Sequence, residues 1–303
     1  MKISIIITTY NREKWILRTV NSILIQNYNN LEIIIVDNAS TDSTVQLIKQ
    51  LNSDKVHIIV NDKNYERSYS RNIGLKNFTG DYVTFLDSDD ILFNHAFDLF
   101  LKSIKDYGYI SIIAFKVAYI DEFDHIKKNI YYPKTYDNLN HILSSGNYLS
   151  NIGKFVRKDY AKKYLFLDNK QIIGVEDYEY NLRLTKESFD GVLVNSIIAG
   201  ITIHDNRSTH NENFNELKIR TLYLIELVKT NPNLYFTNEI YLSKFINTNL
   251  KFIISHLKIN NLINFQHAYS FITQYNLFYN FSFILFIAKR LLINIIYILT
   301  RKI

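Results

Sequence analysis

The chain of 303 residues contains no cysteine, two prolines, eight glycines and one tryptophan, and its first glycine is Gly74. Each scarcity excludes something. Without cysteine there is no disulfide framework and no thiolate metal site, so a reducing cytoplasm is the expected setting. A glycine-free stretch after the first apolar run has no tight phosphate-cradling loop. That excludes the G-x-G-x-x-G site of a dehydrogenase and the glycine-rich triphosphate loop of a nucleotidyltransferase. The opening MKISIIITTYNRE lacks the charged start, long apolar stretch and small-residue cleavage site of a secretion signal, and its apolar residues read as a first strand. Beyond residue 211 turn residues are scarce and Pro232 is the only proline, so long helices are expected there.

A surplus of either charge is missing from the body. Of the net +6, residues 216–303 supply ten Lys/Arg against three acidic residues, which leaves 25 basic against 26 acidic in residues 1–215. A nucleic-acid-binding surface would spread basic residues over the fold, so no nucleic-acid partner is expected. The basic surplus ends in FSFILFIAKRLLINIIYILTRKI, residues 281–303. No uncharged apolar run there reaches the roughly 20 residues needed to span a bilayer. As a helix it would align Arg290, Asn294, Tyr297 and Arg301 on one stripe and cover the rest with Leu, Ile and Phe. That pattern predicts a segment lying on an anionic membrane surface, against the alternative of a helix packed on the body. The expected location is therefore cytoplasmic and peripheral, at the inner face of the cell membrane.

In the first 115 residues, near-continuous β-branched runs alternate with helical spacing. Strands are predicted at Ile3–Thr8, Leu31–Val36, Val56–Val60, Tyr82–Leu86 and Tyr109–Phe115. Trp15, Thr19, Ser22, Ile23 and Gln26 share one helical spacing, with Trp15 expected in the core. Ser40 or Thr41 is the expected cap of a second helix. A β-α-β-α-β order implies an open α/β sheet with its ligand site at the carboxyl ends of the strands. Polar residues collect there: Thr9 and Tyr10 after the first strand, Asp37 after the second, and the run Asp87-Ser88-Asp89-Asp90 after the fourth. Clustered carboxylates repel. Either Asp89 or Asp90 caps the next helix, or the cluster binds a divalent cation that shares its shell with water and phosphate oxygens.

Four segments decide between these by occurring in one order: IIITTYNRE, IIIVDNASTDST, SRNIGLKNFTGDYVTFLDSDD and VEDYEYNLRL. Together, over about residues 1–210, they resemble the family 2 glycosyltransferases, inverting enzymes of the GT-A fold. The resemblance implies a mostly parallel central sheet flanked by helices. Residues 1–115 would form the nucleotide-sugar half and 116–215 the acceptor half of the same domain, with a mainly helical extension over 216–303. It also implies roles. Thr9, Tyr10, Asp37, Arg71 and Asp87 would hold the nucleotide. Asp89, with Asp87 and His204, would hold Mn²⁺ or Mg²⁺. Asp177 would be the catalytic base with Glu176 beside it, and that like charge would raise its pKa. A Glu179–Arg183 pair on the same helix is compatible with this. The implied partners are a nucleotide-sugar donor, with UDP favoured, and a glycan or lipid-linked acceptor, as in bacterial capsule, O-antigen or exopolysaccharide assembly. Thr8, Asn38 and Asn77 depart from the family's usual Pro, Asp and Ala. A catalytically silent homologue that binds a glycan or partner at a membrane surface is the alternative, against which stands the retention of Asp87, Asp89 and Asp177 together.

Overall fold

The computed structural model describes residues 1–130, 132, 138–187, 190–205 and 214–256. The expected membrane-surface segment 281–303 lies outside the described residues, and no described helix is long and apolar enough to cross a membrane. Among the described residues nine strands form one sheet: β1 (Ile3–Thr9), β2 (Leu31–Asp37), β3 (Val56–Val60), β4 (Tyr82–Asp87), β5 (Ile91–Leu92), β6 (Ile112–Ile120), β7 (Ile126–Asn129), β8 (Lys154–Arg157) and β9 (Val192–Thr202). The strand order is 3-2-1-4-8-6-9-5, with β7 paired to β6. Strands 3-2-1-4 are parallel, as is β6 with β9, while β8, β5 and β7 pair antiparallel.

Every residue of β2 is buried, because helices cover both faces of the sheet. Alternation along β1 divides the layers. Ile3, Ile5 and Ile7 face one core with α1 (Ile16–Leu24), α2 (Thr44–Gln50) and α4 (Ala96–Tyr107). Ile6 faces the other, with α3 (Arg67–Asn77), α5 (Leu139–Ser144), α6 (Lys158–Ala161), α7 (Glu176–Lys186), α8 (Phe214–Thr230) and α9 (Glu239–His256). Of the long helices expected beyond residue 211, α8 and α9 lie among the described residues, and they close this second core. At Gly74 α3 lies so close to β1 that an added Cβ would meet Ile6 Cγ2 at 2.4 Å. One turn earlier, the same helix presents Arg71.

Two local readings are corrected. The fifth predicted strand begins at Ile112 and runs on to Ile120. Tyr109 leaves the sheet to pack edge-on against Tyr82, with the Arg157 guanidinium over its ring. Lys116 does not end the strand, since its ammonium lies over the Tyr132 ring. The cap of α2 is neither Ser40 nor Thr41. Asp42 Oδ1 accepts from the Thr44 amide at 3.0 Å, and Ser40 turns back to Asp37.

Candidate active site

The parallel register brings the polar strand ends together, with Thr9 opposite Asp37 and Thr8 opposite Asp87. Because the chain returns from β3 to place β4 on the other side of β1, a crevice opens at this edge. It is a polar cleft of about 230 Å³ whose walls include Thr9, Tyr10, Arg12, Arg71, Asp87 and Asp89. The Thr9 hydroxyl is buried with no hydrogen-bond partner, and Tyr10 is 41% exposed. A larger groove of about 640 Å³ includes Ile25, Ile91, Phe93, Ile126 and Ile197 in its lining and none of the expected site residues. Converging charged and orphaned polar groups, rather than volume, make the smaller cleft the candidate site.

The loops after β1 and β2 are tied together. The Asn11 amide donates to Ser40 Oγ at 2.9 Å, and Arg12 N to Thr44 Oγ1 at 2.8 Å. Asn11 and Ala39 take positive φ values of 50° and 63° to make these turns. Asp37 is fully buried and accepts from the Ser40 amide and hydroxyl at 2.9 and 2.5 Å. Asn38 spends its amide on the neighbouring loop. Its Nδ2 donates to Asn64 Oδ1 at 2.7 Å and to the Tyr65 carbonyl, while its Oδ1 accepts from Asn61 Nδ2 and the Tyr65 amide at 3.0 and 2.9 Å. A carboxylate at 38 could accept but not donate.

The three carboxylates of the Asp-Ser-Asp-Asp run diverge. Asp90 is buried and accepts from the Thr202 amide at 2.9 Å. Neither Asp89 nor Asp90 caps a helix, since α4 begins at Ala96 after His95. Asp87, with a side chain 45% exposed, receives Arg71 Nη2 at 3.3 Å. The buried Arg71 gives its Nη1 to Glu176 Oε1 at 2.9 Å, and Arg67 Nε approaches the same oxygen at 3.6 Å. Glu176 is equally buried, and its Oε2 accepts from the Gly174 amide at 2.5 Å. One ion-pair string therefore joins β4, α3 and the start of α7.

Asp89 turns the other way. Its Oδ2 lies 3.2 Å from His204 Nε2 and 3.3 Å from Arg12 Nε. His204 stacks on Trp15, with centroids 4.7 Å apart and planes at 26°. Lys14 and Arg18 both flank the indole. Among the described residues no three His, Cys, Asp or Glu side chains converge in metal-binding geometry. Asp89 and His204 nonetheless make an oxygen–nitrogen pair. One or two protein ligands suffice for an ion that completes its shell with water and phosphate.

Asp177 sits half-buried in the first turn of α7. Asn147 Nδ2 lies 3.3 Å from both its oxygens, and the Tyr178 amide donates to Oδ1 at 2.7 Å. Burial, then the adjacent Glu176 charge, raise its pKa to about 6 against the opposing pull of Arg71. The Glu179–Arg183 pair forms on the same helix, at 2.5 Å.

Thr9, Tyr10, Arg71, Asp87 and Asp89 line the cleft, Glu176 and His204 are joined to it by ion pairs, Asp177 follows Glu176 on α7, and Asp37 is buried behind it. Arg12, Asn147 and the contact of Trp15 with His204 are not among the features expected from the sequence. Arg12 carried a signal in the polar turn after β1; Asn147 carried none.

The glycosyl transferase family 2 model matches residues 4–165. An uncharacterized glycosyltransferase of Haemophilus influenzae is 31% identical over 193 residues, 63% of this chain and 74% of that protein. The Escherichia coli protein named UDP-Glc:alpha-D-GlcNAc-diphosphoundecaprenol beta-1,3-glucosyltransferase WfaP is 43% identical over 88 residues, 29% of this chain and 35% of that one. The chain spans 18% and 20% of the length of the longer Rickettsia felis and Streptococcus pneumoniae relatives that it also matches. In fold it resembles residues 1–349 of Staphylococcus aureus TarS, solved with UDP-GlcNAc. The TM-score is 0.68 at 19% identity, over 88% of this chain and 78% of that one. With the GT-A architecture and the family model agreeing, the chain belongs to glycosyl transferase family 2.

Proposed function

We propose that the protein moves a sugar from a nucleoside-diphosphate sugar to a hydroxyl of a glycan or lipid-linked glycan, in one displacement that inverts the anomeric centre. The observation that carries this reading is the string Asp87–Arg71–Glu176, which brings Asp177 beside the cleft at the strand ends. The donor's nucleotide lies against Thr9 and Tyr10, the hydroxyl of Thr9 and the exposed ring of Tyr10 meeting the base and ribose. A uridine nucleotide is favoured, since UDP-sugars are named for the E. coli relative and the TarS complex. A lipid-linked acceptor has the same support from the E. coli relative.

Asp177 takes the proton of the acceptor hydroxyl while that oxygen bonds to the anomeric carbon. The bond from that carbon to the diphosphate breaks on the opposite face, and the nucleotide leaves with the electron pair. Glu176 serves this step by holding Arg71 rather than by moving a proton, because both its oxygens are occupied. Arg71 and Arg12 give the cleft positive charge where the diphosphate gathers its negative charge. Asp89, His204 and Asp87 are the residues that would hold Mg²⁺ or Mn²⁺, whose charge, when bound, offsets that of the leaving diphosphate. We place the enzyme at the inner membrane face through residues 281–303.

The test is thermal-shift screening of UDP-, GDP- and dTDP-sugars with Mn²⁺ and with EDTA. A donor at 100 times its Kd stabilises the fold by about 2.7 kcal/mol. Metal-dependent stabilisation by one nucleotide class, lost in Asp89→Asn, is expected. No shift with any donor would overturn the transfer reading and favour a silent glycan-binding homologue.

A further inference from the structure

Lys154, the first residue of β8, is 1% exposed. Among the described residues no carboxylate lies within ion-pairing distance of it. Its Nζ donates instead to Asn151 Oδ1 at 3.2 Å and to Asn181 Oδ1, and lies 5.4 Å from the Tyr180 ring centroid. A buried ammonium without a counter-ion costs several kcal/mol, so its retention calls for a reason. The transfer mechanism above makes no use of it.

The reason lies in what its two asparagines hold. Asn181 stands one turn after Asp177 on α7, on the same face of the helix. Its Nδ2 donates to the Leu149 carbonyl. Asn147, two residues before Leu149, donates to Asp177. Residues 147–151 are thus sewn to α7 at both 177 and 181, and Lys154 joins the far end of that segment, Asn151, to Asn181. Burial is the main influence on the Lys154 ammonium and pushes its pKa down to about 7, with Asp177 opposing and Arg71 reinforcing that drop. Over the range in which Asp177 gains its proton, Lys154 is mostly charged.

Resting on the transfer reading, we propose that Lys154 is a positioning residue for the base: it locks residues 147–151 onto the helix face that carries Asp177 and supplies that face with a buried positive charge. The charged groups facing Asp177 are then Glu176 on its own helix, Arg71 from α3 and Lys154 from β8.

Two variants separate the tie from the charge. Lys154→Met keeps the stem and removes both. Lys154→Gln keeps an N–H donor for the asparagines and removes the charge. We expect Lys154→Met to lower kcat about tenfold or more while donor Kd stays within about twofold, and Lys154→Gln to recover part of that loss. In both, the acid limb of kcat/KM for the acceptor should move up by about half a pH unit, because a lost cation disfavours the Asp177 carboxylate. The same upward shift should appear in the NMR titration of the ¹³C-labelled Asp177 carboxyl, which requires no turnover. An unmoved carboxyl midpoint in Lys154→Gln, or a fall in donor affinity matching the fall in kcat, would overturn the proposal. If the wild-type chain transfers no sugar, the transfer reading falls, and the carboxyl titration still decides the case for Lys154.

Discussion

Trp15 lies face to face with His204, 4.7 Å between ring centroids, and His204 in turn reaches Asp89 at 3.2 Å. The tryptophan that reads as core in the sequence is indeed buried, yet one of its faces fixes an imidazole at the end of β9 against the carboxylate after β4. Since Trp15 is the only tryptophan, its emission reports on that imidazole. Mn²⁺ with UDP should quench it saturably, through paramagnetic contact, and Mg²⁺ with UDP should not. Asp89→Asn and His204→Ala should each abolish the saturable part. Trp15→Ala, read by thermal shift, should weaken Mn²⁺ binding about tenfold, the usual cost of losing a group that orients a ligand. Undiminished quenching in both ligand variants would remove Asp89 and His204 from the metal site.

For Asp177 the sign of the pH effect follows from its raised pKa. The folded protein holds this proton to higher pH than the unfolded chain, whose value is near 3.8. Its contribution to stability is therefore present at low pH and lost as pH rises from about 4 to about 6. At neutral pH, Asp177→Asn should gain about 1 kcal/mol of stability, a rise of about 2–4 °C in Tm. Transfer should fall at least about a hundredfold in the same variant, and the wild-type rate should decline on the acid side of about pH 6. Calorimetry and pH-rate profiles check both halves. A less stable but active Asn variant would show that Asp177 is not a strained base.

Breaking the buried pair of Arg71 and Glu176 should be costly, because it leaves Arg71 with Asp87 as its remaining carboxylate partner. Glu176→Ala is expected to lose about 3–5 kcal/mol by urea unfolding, the range for one partner removed from a buried ion pair. Donor affinity should fall with it, as Arg71 loses its orientation. Stability unchanged to within 0.5 kcal/mol would mean that the pair does not form in solution.

Asn38→Asp installs the carboxylate that the family resemblance leads one to expect, and here it should do harm. The carboxylate would face Asn64 Oδ1 and the Tyr65 carbonyl, both acceptors. We expect a loss of about 1–3 kcal/mol and weaker UDP binding by calorimetry, with KM for the acceptor unchanged. Tighter UDP binding in this variant would show that position 38 contacts the base directly.

What the sequence determined by itself is local and periodic. The apolar runs of β1, β2 and β4 have no exposed face to spare, so they had to become buried parallel strands, while β3 at the sheet edge leaves His57 and Val60 exposed. Asp177, on α7, was picked out only through the family resemblance, while the polar residues that follow β1, β2 and β4 had to gather at one edge, Asp87, Asp89 and Asp90 among them. Only the tertiary structure decided how those carboxylates are shared out: Asp87 to Arg71, Asp89 to His204, Asp90 to the backbone of Thr202. The pairing of Arg71 with Glu176 spans 105 positions, and the enclosure of Lys154 by Asn151 and Asn181 joins a strand to a helix. No periodicity encodes such partners, because side chains on different elements meet only after the sheet and its two helical layers have packed.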